Sequence, residues 1–194
     1  MTGFDITSVS VRNLRKIYPN VRFHLLDIAN GNSVRSFGKK FDIISVMNVL
    51  LHITDDERFV RAISNISEML KDGGIILIAD PIVIYNYWGK PFTKESSSKC
   101  RPLKQYLEAF TTNRLSVVRL CPTSFFMSDP IDTKGKTTFQ IWRLIWRIIS
   151  LFAKSETTGA IEGRILYVAE GLLIRIFEHT QYGPTGKFLI VGKR

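Results

Sequence analysis

Asp5 and Asp27 each close a short apolar segment, Gly3-Phe4-Asp5-Ile6-Thr7 and Val21 to Leu26 followed by Asp27. A carboxylate at the end of a parallel strand can accept two neighbouring hydroxyls at once, as a ribose offers them. The same residue type also serves as a helix cap or turn acid, and Asn30-Gly31-Asn32 puts turn chemistry close to Asp27. His52 follows the apolar run Phe41–Met47. A neutral imidazole there would take a proton from a hydroxyl, or would simply begin a helix and bond a carbonyl. Asp80 ends a further apolar run just before Pro81, where it would orient a bound acceptor or only make a turn. Metal chemistry is not expected, because Cys100 and Cys121 lack paired spacing and give neither a zinc site nor a disulfide framework.

Alternating strands and helices must position these groups. Gly3–Thr7 reads as a strand end, and Ser8 or Ser10 would cap a helix through Val11, Leu14, Arg15 and Ile17. Val21–Leu26 is a strand, Asn30–Ser33 a loop, and Phe41–Met47 a buried parallel strand. Thr54-Asp55-Asp56-Glu57 opens a helix whose apolar positions, Phe59, Ile63, Ile66, Met69 and Leu70, recur at helical spacing. Lys71-Asp72-Gly73-Gly74 stops it, and Ile75–Ala79 is a second buried strand. The pattern implies a parallel α/β sheet. Further on, Trp88–Arg101 reads as a polar loop and Pro102 starts a helix. Leu115–Leu120 is a strand, Pro122–Lys136 a loop, Phe139–Lys154 and Gly163–His179 are helices, and Lys187–Val191 is a last strand.

The bulk numbers suit one globular domain: 194 residues, 45% hydrophobic and 23% charged, enough apolar content for a core. No apolar run is long enough to span a bilayer, and the first residues lack a basic region followed by an apolar one, so a cytoplasmic compartment is expected. Net charge is +10, and +7 of it falls between Lys99 and Lys154, where ten basic residues face three acids. A surplus of that kind suits an anionic partner: a phosphate-bearing substrate, a membrane surface or nucleic acid. A solvated basic surface would show it as well.

The order of these motifs resembles class I, Rossmann-like, S-adenosylmethionine-dependent methyltransferases of the type that modifies small molecules and sugars. Gly3–Thr7 is similar to the family's second strand, whose acidic end binds the ribose hydroxyls, and Leu26-Asp27-Ile28 to the end of the third, near the adenine. Phe41–Ile44 through Val49–Ile53, then Met69–Ile76, look like the fourth strand, its helix and the fifth strand. Leu115–Leu120 and Gly183–Gly192 look like the sixth and the antiparallel seventh. The resemblance implies a mostly parallel sheet with an antiparallel last strand and a helical insertion before it. It implies a single domain, with a core at 1–122, a loop and helical insertion at 123–180 and a final strand at 181–194. Cofactor contacts would come from Asp5, Ile6, Asp27, Ile28, Met47 and Asn48, and catalysis, most simply O-methylation of a small-molecule or glycan-like acceptor, from His52 and Asp80.

The family's glycine-rich loop after a first strand has no counterpart in this sequence; Gly73-Gly74 belongs to a later turn. The reading therefore expects a truncated domain lacking roughly 30 or more residues of strand, loop and helix. The strands ending at Asp5 and Met47 would then either pair with each other or keep open edges. A catalytically inactive remnant acting as a binding module is the competing function. Nucleic-acid methylation is a third, which Met47-Asn48-Val49-Leu50 argues against, since enzymes acting on base amines carry Asn/Asp-Pro-Pro-aromatic there.

Phe139–Lys154 carries Arg143, Arg147, Ser150 and Lys154 in one narrow polar stripe, with Trp142, Leu144, Ile145, Trp146, Ile148, Ile149, Leu151 and Phe152 around the remainder. A helix this apolar is expected to pack over the sheet and the acceptor pocket, aided by Ile165, Val168, Ala169, Leu172, Leu173 and Ile176 of the next helix. The alternative is peripheral membrane contact through 139–154, with the tryptophans at the headgroups.

Overall fold

Helix α3, Asp56–Met69, begins where the Asp55 side chain accepts from the Arg58 amide, with Asp56 and Glu57 in the first turn favouring the positive end of the helix dipole. Its apolar face, Phe59, Ala62, Ile63 and Ile66, is wholly or almost wholly buried. It packs with Tyr106, Ala109 and Phe110 of α4, Leu103–Thr112, onto Ile76, Ile78, Leu189 and Val191 of the sheet. That sheet has four strands in the order β3, β4, β10, β8: Phe41–Met47, Leu70–Asp80, Lys187–Lys193 and Leu115–Pro122. β3 and β4 are parallel, and β10 runs antiparallel between β4 and β8.

A second sheet pairs β1, Thr2–Asp5, with β2, Arg22–Leu25, in parallel. Helix α1, Ser8–Ile17, connects them, and Phe4, Phe37 and Phe41 bridge this sheet to β3 by edge and stacked ring contacts of 4.9 to 6.2 Å. Short ladders complete the strands: β5, Ile82–Val83, with β7, Arg101–Pro102, and β6, Asn86–Tyr87, with β9, Asp132–Thr133. The fold is thus mixed α/β and Rossmann-like, as the motif order implied. The computed structural model describes residues 1–93, 95–126, 128–152, 156–177 and 179–193, without the side chains at 152, 156–158, 161 and 162.

Among the described residues, β1 and β3 do not pair with each other, and each has one ladder neighbour. Of the two outcomes expected for these edges, the open one holds. β3 is therefore not the buried strand its apolar run suggested: Ile43 is 59% exposed and Met47 42%. An apolar run reports what a strand can bury, and here its other edge borders a cavity.

Other local expectations are corrected. Asn30–Ser33 is no loop. The Asn30 side chain accepts from the Asn32 amide and starts helix α2, Gly31–Phe37, which ends at Gly38 with φ +64°, a conformation glycine adopts at no steric cost. Helix α1 has Thr7 at its cap position, without a side-chain capping bond, rather than Ser8 or Ser10. Trp88–Arg101 carries short pairing at its end, and Arg101 is fully buried. The last helices are α5, Lys136–Phe152, and α6, Glu156–Phe177, so the second starts earlier than Gly163. Lys154 lies outside the described residues.

The expectation that α5 and α6 are covered also fails for one face of each. Trp142 packs on Phe125 and Phe126 at 5.9 and 5.6 Å and donates to the Tyr182 hydroxyl, while Phe177 packs on Phe125 at 5.3 Å. The buried Glu170 carboxylate accepts the amides of Phe125 and Phe126. These contacts occupy one side of the helix pair, and Leu144, Ile148, Leu151, Ile165, Val168, Leu172 and Ile176, expected in the core, are exposed.

Candidate active site

The carboxyl ends of β1, β2 and β3 meet around one cavity of about 1090 Å³. Parallel pairing sets Asp5 opposite Leu25, so Asp5 and Asp27 leave their strands at the same edge, and both line the cavity. Ile6, Ile28, Asn48 and His52 line it too, and apolar side chains of β3 form much of its wall. Met47 and Asp80 are not part of that lining.

Both carboxylates are held locally. Asp5 Oδ1 accepts from the Thr7 amide and hydroxyl, each at 2.7 Å. Asp27 Oδ1 accepts from the Ala29 amide at 2.9 Å, and Oδ2 pairs with Arg58 at 2.8 Å. These are the turn bonds expected of strand-exit acids, and they fix the carboxylates facing the cavity edge. Asp5 Oδ2 takes no part in them. Asn48 has φ +53°, and its amide bonds the Ala79 carbonyl at 2.8 Å. A non-glycine residue in that region turns the chain sharply at the end of β3, and asparagine tolerates the conformation better than most.

His52 ends a 3-10 turn, Leu50–His52, next to Asn48. Its Nδ1 lies 3.0 Å from the Ser97 carbonyl oxygen, which can only accept. Nδ1 therefore carries the proton in the neutral ring and Nε2 keeps its lone pair, the tautomer a general base needs.

That turn is clamped by the segment that leads into β7. The Lys99 amide donates to the Leu51 carbonyl at 2.8 Å, and Lys99 Nζ reaches Asp56 at 2.7 Å. Arg101 donates to the carbonyls of Leu50 and Ile53, which bracket His52, and to Asp56 Oδ1. Its guanidinium lies 4.3 Å from the centre of the Phe59 ring. Partial burial acts to raise the Asp56 pKa, but the hydrogen bonds from Lys99, Gln105 and Arg101 outweigh it and hold the carboxyl below the ordinary range. The sequence reading missed this clamp, because an arginine at the end of a Ser/Lys-rich run looks like any solvated charge.

Asp80 is 1% exposed at the end of β4. Oδ2 accepts from Tyr106 at 3.1 Å, and Oδ1 has no hydrogen-bond partner among the described residues. Burial pushes its pKa up to about 7, against the lowering effect of Tyr106 and nearby charges. Burial likewise pushes the Cys100 thiol up, so it is not a thiolate nucleophile at neutral pH. Among the described residues no group of His, Cys, Asp and Glu could hold a metal ion.

A sequence profile of the methyltransferase domain family matches residues 1–137. The chain belongs to the methyltransferase domain family. The match ends as α5 begins, so the two exposed helices lie beyond it. No curated protein matches the sequence.

Solved structures share the fold at low identity. An O-methyltransferase from a trans-AT PKS multienzyme of Brevibacillus brevis, in complex with S-adenosyl-L-homocysteine, superposes with a TM-score of 0.56 at 15% identity, over 99% of this chain and 58% of that one. An S-adenosylmethionine-dependent methyltransferase from Clostridium acetobutylicum gives 0.57 at 9% identity, over 99% and 74%. The cyclase SpnF gives 0.53 at 16% identity, over 99% and 65%. This chain spans about three-fifths of the length of the Brevibacillus enzyme. At these identities the likeness is one of fold, and a fold hosts more than one reaction.

Proposed function

We propose that this chain provides the nucleoside and acceptor side of an S-adenosylmethionine-dependent methyltransferase that acts on a small-molecule or glycan-like hydroxyl. The observation that carries the reading is one cavity lined by the strand-end carboxylates Asp5 and Asp27 and by His52. The residues present suit the cofactor's nucleoside. Asp5 offers a carboxylate for paired hydroxyls, Ile6 and Ile28 offer apolar surface, and Asp27 lies beside them, sharing its charge with Arg58. Asn48, in the turn after β3, completes the cofactor side, while Met47 at the end of the strand lies outside the cavity lining.

When bound, S-adenosylmethionine supplies an electrophilic methyl group. His52 Nε2 would take the proton the acceptor hydroxyl gives up when the methyl leaves the cofactor's sulfonium sulfur, which departs as the neutral thioether, and the Ser97 carbonyl would hold the resulting imidazolium through Nδ1. Asp80 and Tyr106 support the acceptor side from within the core. The basic surplus favours an anionic acceptor. The segment from α5 to α6 is an insertion into a single domain, and it is the part that meets the acceptor and, peripherally, a membrane from the cytoplasmic side.

Weak cofactor affinity is expected, with Kd on the order of 100 μM or weaker, because the sequence carries no glycine-rich loop to bring backbone donors close to the ligand. Calorimetric titration with S-adenosylhomocysteine tests this. Weak single-site binding that Asp5→Ala abolishes supports the reading, and no binding at millimolar ligand overturns it. The exposed edge of β3 at Ile43 and Met47 favours a second reading, a binding module without turnover. Cofactor binding with no methyl transfer to any hydroxyl acceptor would select it.

A further inference from the structure

Helices α5 and α6 each present a row of large apolar side chains to solvent. On α5, Ile141, Leu144, Ile148 and Leu151 follow one another at spacings of three and four and are 49–59% exposed. On α6, Ile165, Val168, Leu172 and Ile176 do the same at 58–67%. Such spacing keeps each row on one face of its helix. The buried side of the pair is already engaged by Trp142, Glu170 and Phe177, so the rows are not spare core.

Cations border both rows. At about 100° per residue, Lys136, Arg143 and Arg147 form a strip beside the α5 row, and the exposed Arg164 and Arg175 lie beside the α6 row. α5 contains no acid. On α6 Glu170 is buried on the amides of Phe125 and Phe126, and Glu156 and Glu162 stand in the first two turns.

We propose that α5 and α6 dock this protein on an anionic lipid surface. The aliphatic rows enter the boundary between headgroups and acyl chains, and the arginines meet lipid phosphates. Trp142 faces the protein, where it bonds Tyr182. Charge complementarity selects the occupant. A second copy meeting these faces symmetrically would bring arginine rows against arginine rows, which costs free energy that an anionic membrane would supply instead. Nucleic acid would leave eight aliphatic side chains without a stacking or charged role. Among the described residues no helix is long and apolar enough to cross a membrane, so the contact is peripheral. The proposal extends the peripheral contact of the proposed function and is independent of methyl transfer.

The test is co-sedimentation of the whole chain with phosphatidylcholine vesicles containing about 30% phosphatidylserine, beside pure phosphatidylcholine vesicles. Two variants are compared: Leu144→Glu with Leu172→Glu, and Arg143→Gln with Arg147→Gln. All four side chains are exposed, so circular dichroism and melting should match the parent. The parent is expected to pellet with anionic vesicles, less so at high salt, and each variant to bind about tenfold more weakly. Parent that stays in the supernatant, or variants that bind as the parent does, overturns the proposal. A concentration-dependent dimer that disperses in the glutamate variant also overturns it, in favour of a second copy. Titration with S-adenosylhomocysteine on the same protein reads the cofactor site separately, so failure of one reading leaves the other standing.

Discussion

Arg101 Nη2 and Asp56 Oδ1 lie 3.1 Å apart at the turn that carries His52, with the arginine wholly buried and the aspartate half exposed. The pair does more than neutralise charge. By donating also to the Leu50 and Ile53 carbonyls, Arg101 ties the backbone on both sides of His52 to the start of α3. The planar guanidinium reaches all of these acceptors from one position, which a lysine ammonium cannot do.

Arg101→Lys should therefore destabilise the fold by roughly 2–3 kcal/mol, since buried carbonyls and a half-exposed carboxylate lose charge-assisted bonds. Urea unfolding measures the cost. Hydrogen exchange should show the amides of His52 and Ile53 opening faster than in the parent, whereas those of β10 should change only with global stability.

A second ion pair, this one buried on both sides, joins Lys187 to Asp132 at 3.0 Å. Asp132 also accepts the amides of Ile84 and Tyr85, and Lys187 donates to the carbonyls of Gly183 and Thr185. Burial pulls the Lys187 pKa down while Asp132 works against it. Asp132→Asn would leave the ammonium without its counter-charge, and a loss of about 3–5 kcal/mol is expected in thermal or urea unfolding. A loss below about 1 kcal/mol would show that the lysine deprotonates or rearranges at little cost.

Asp80 gives a pH dependence of definite sign. Its folded pKa, about 7 through burial, is above the unfolded value near 3.8. Below about pH 4 the carboxyl is protonated in both states. As pH rises from about 4 to about 7 the unfolded chain gives up a proton that the folded chain keeps, so stability falls by up to roughly 1.4 kcal/mol per pH unit and levels off above 7. Asp80→Asn should remove this slope and be the more stable form at pH 8. Urea midpoints measured from pH 5 to pH 8 check it, and parallel curves for the two proteins would refute it.

At the cavity, Asp5→Ala and His52→Asn should separate binding from chemistry. On the proposed role of Asp5 in accepting ribose hydroxyls, losing its carboxylate should weaken S-adenosylhomocysteine about tenfold or more. His52→Asn should leave that affinity unchanged and lower transfer to a hydroxyl acceptor by about a hundredfold or more, because only the proton acceptor is removed. Affinity that falls with His52→Asn and holds with Asp5→Ala would reverse the assignment.

Periodicity and punctuation in the sequence determined most elements. The capped start at Asp55, the helical spacing through Ile66 and the apolar strands around Ile44 and Ile78 are local signals, and their order implied a parallel α/β sheet. The strand-exit acids Asp5 and Asp27 were legible for the same reason, since parallel strands of this topology end at one edge. Tertiary structure alone decided what each apolar or charged side chain meets. Ile43 and Leu144 read as core but are exposed, because β3 borders a cavity and α5 turns only one side to the protein. Arg101 read as the end of a polar loop and Lys187 only as the start of a strand, yet both are fully buried, because partners far along the chain, Asp56 and Asp132, supply the counter-charge that makes burial tolerable. Hydropathy is a property of one residue. Burial depends on the surfaces brought against it, and 45 and 55 residues separate those two pairs.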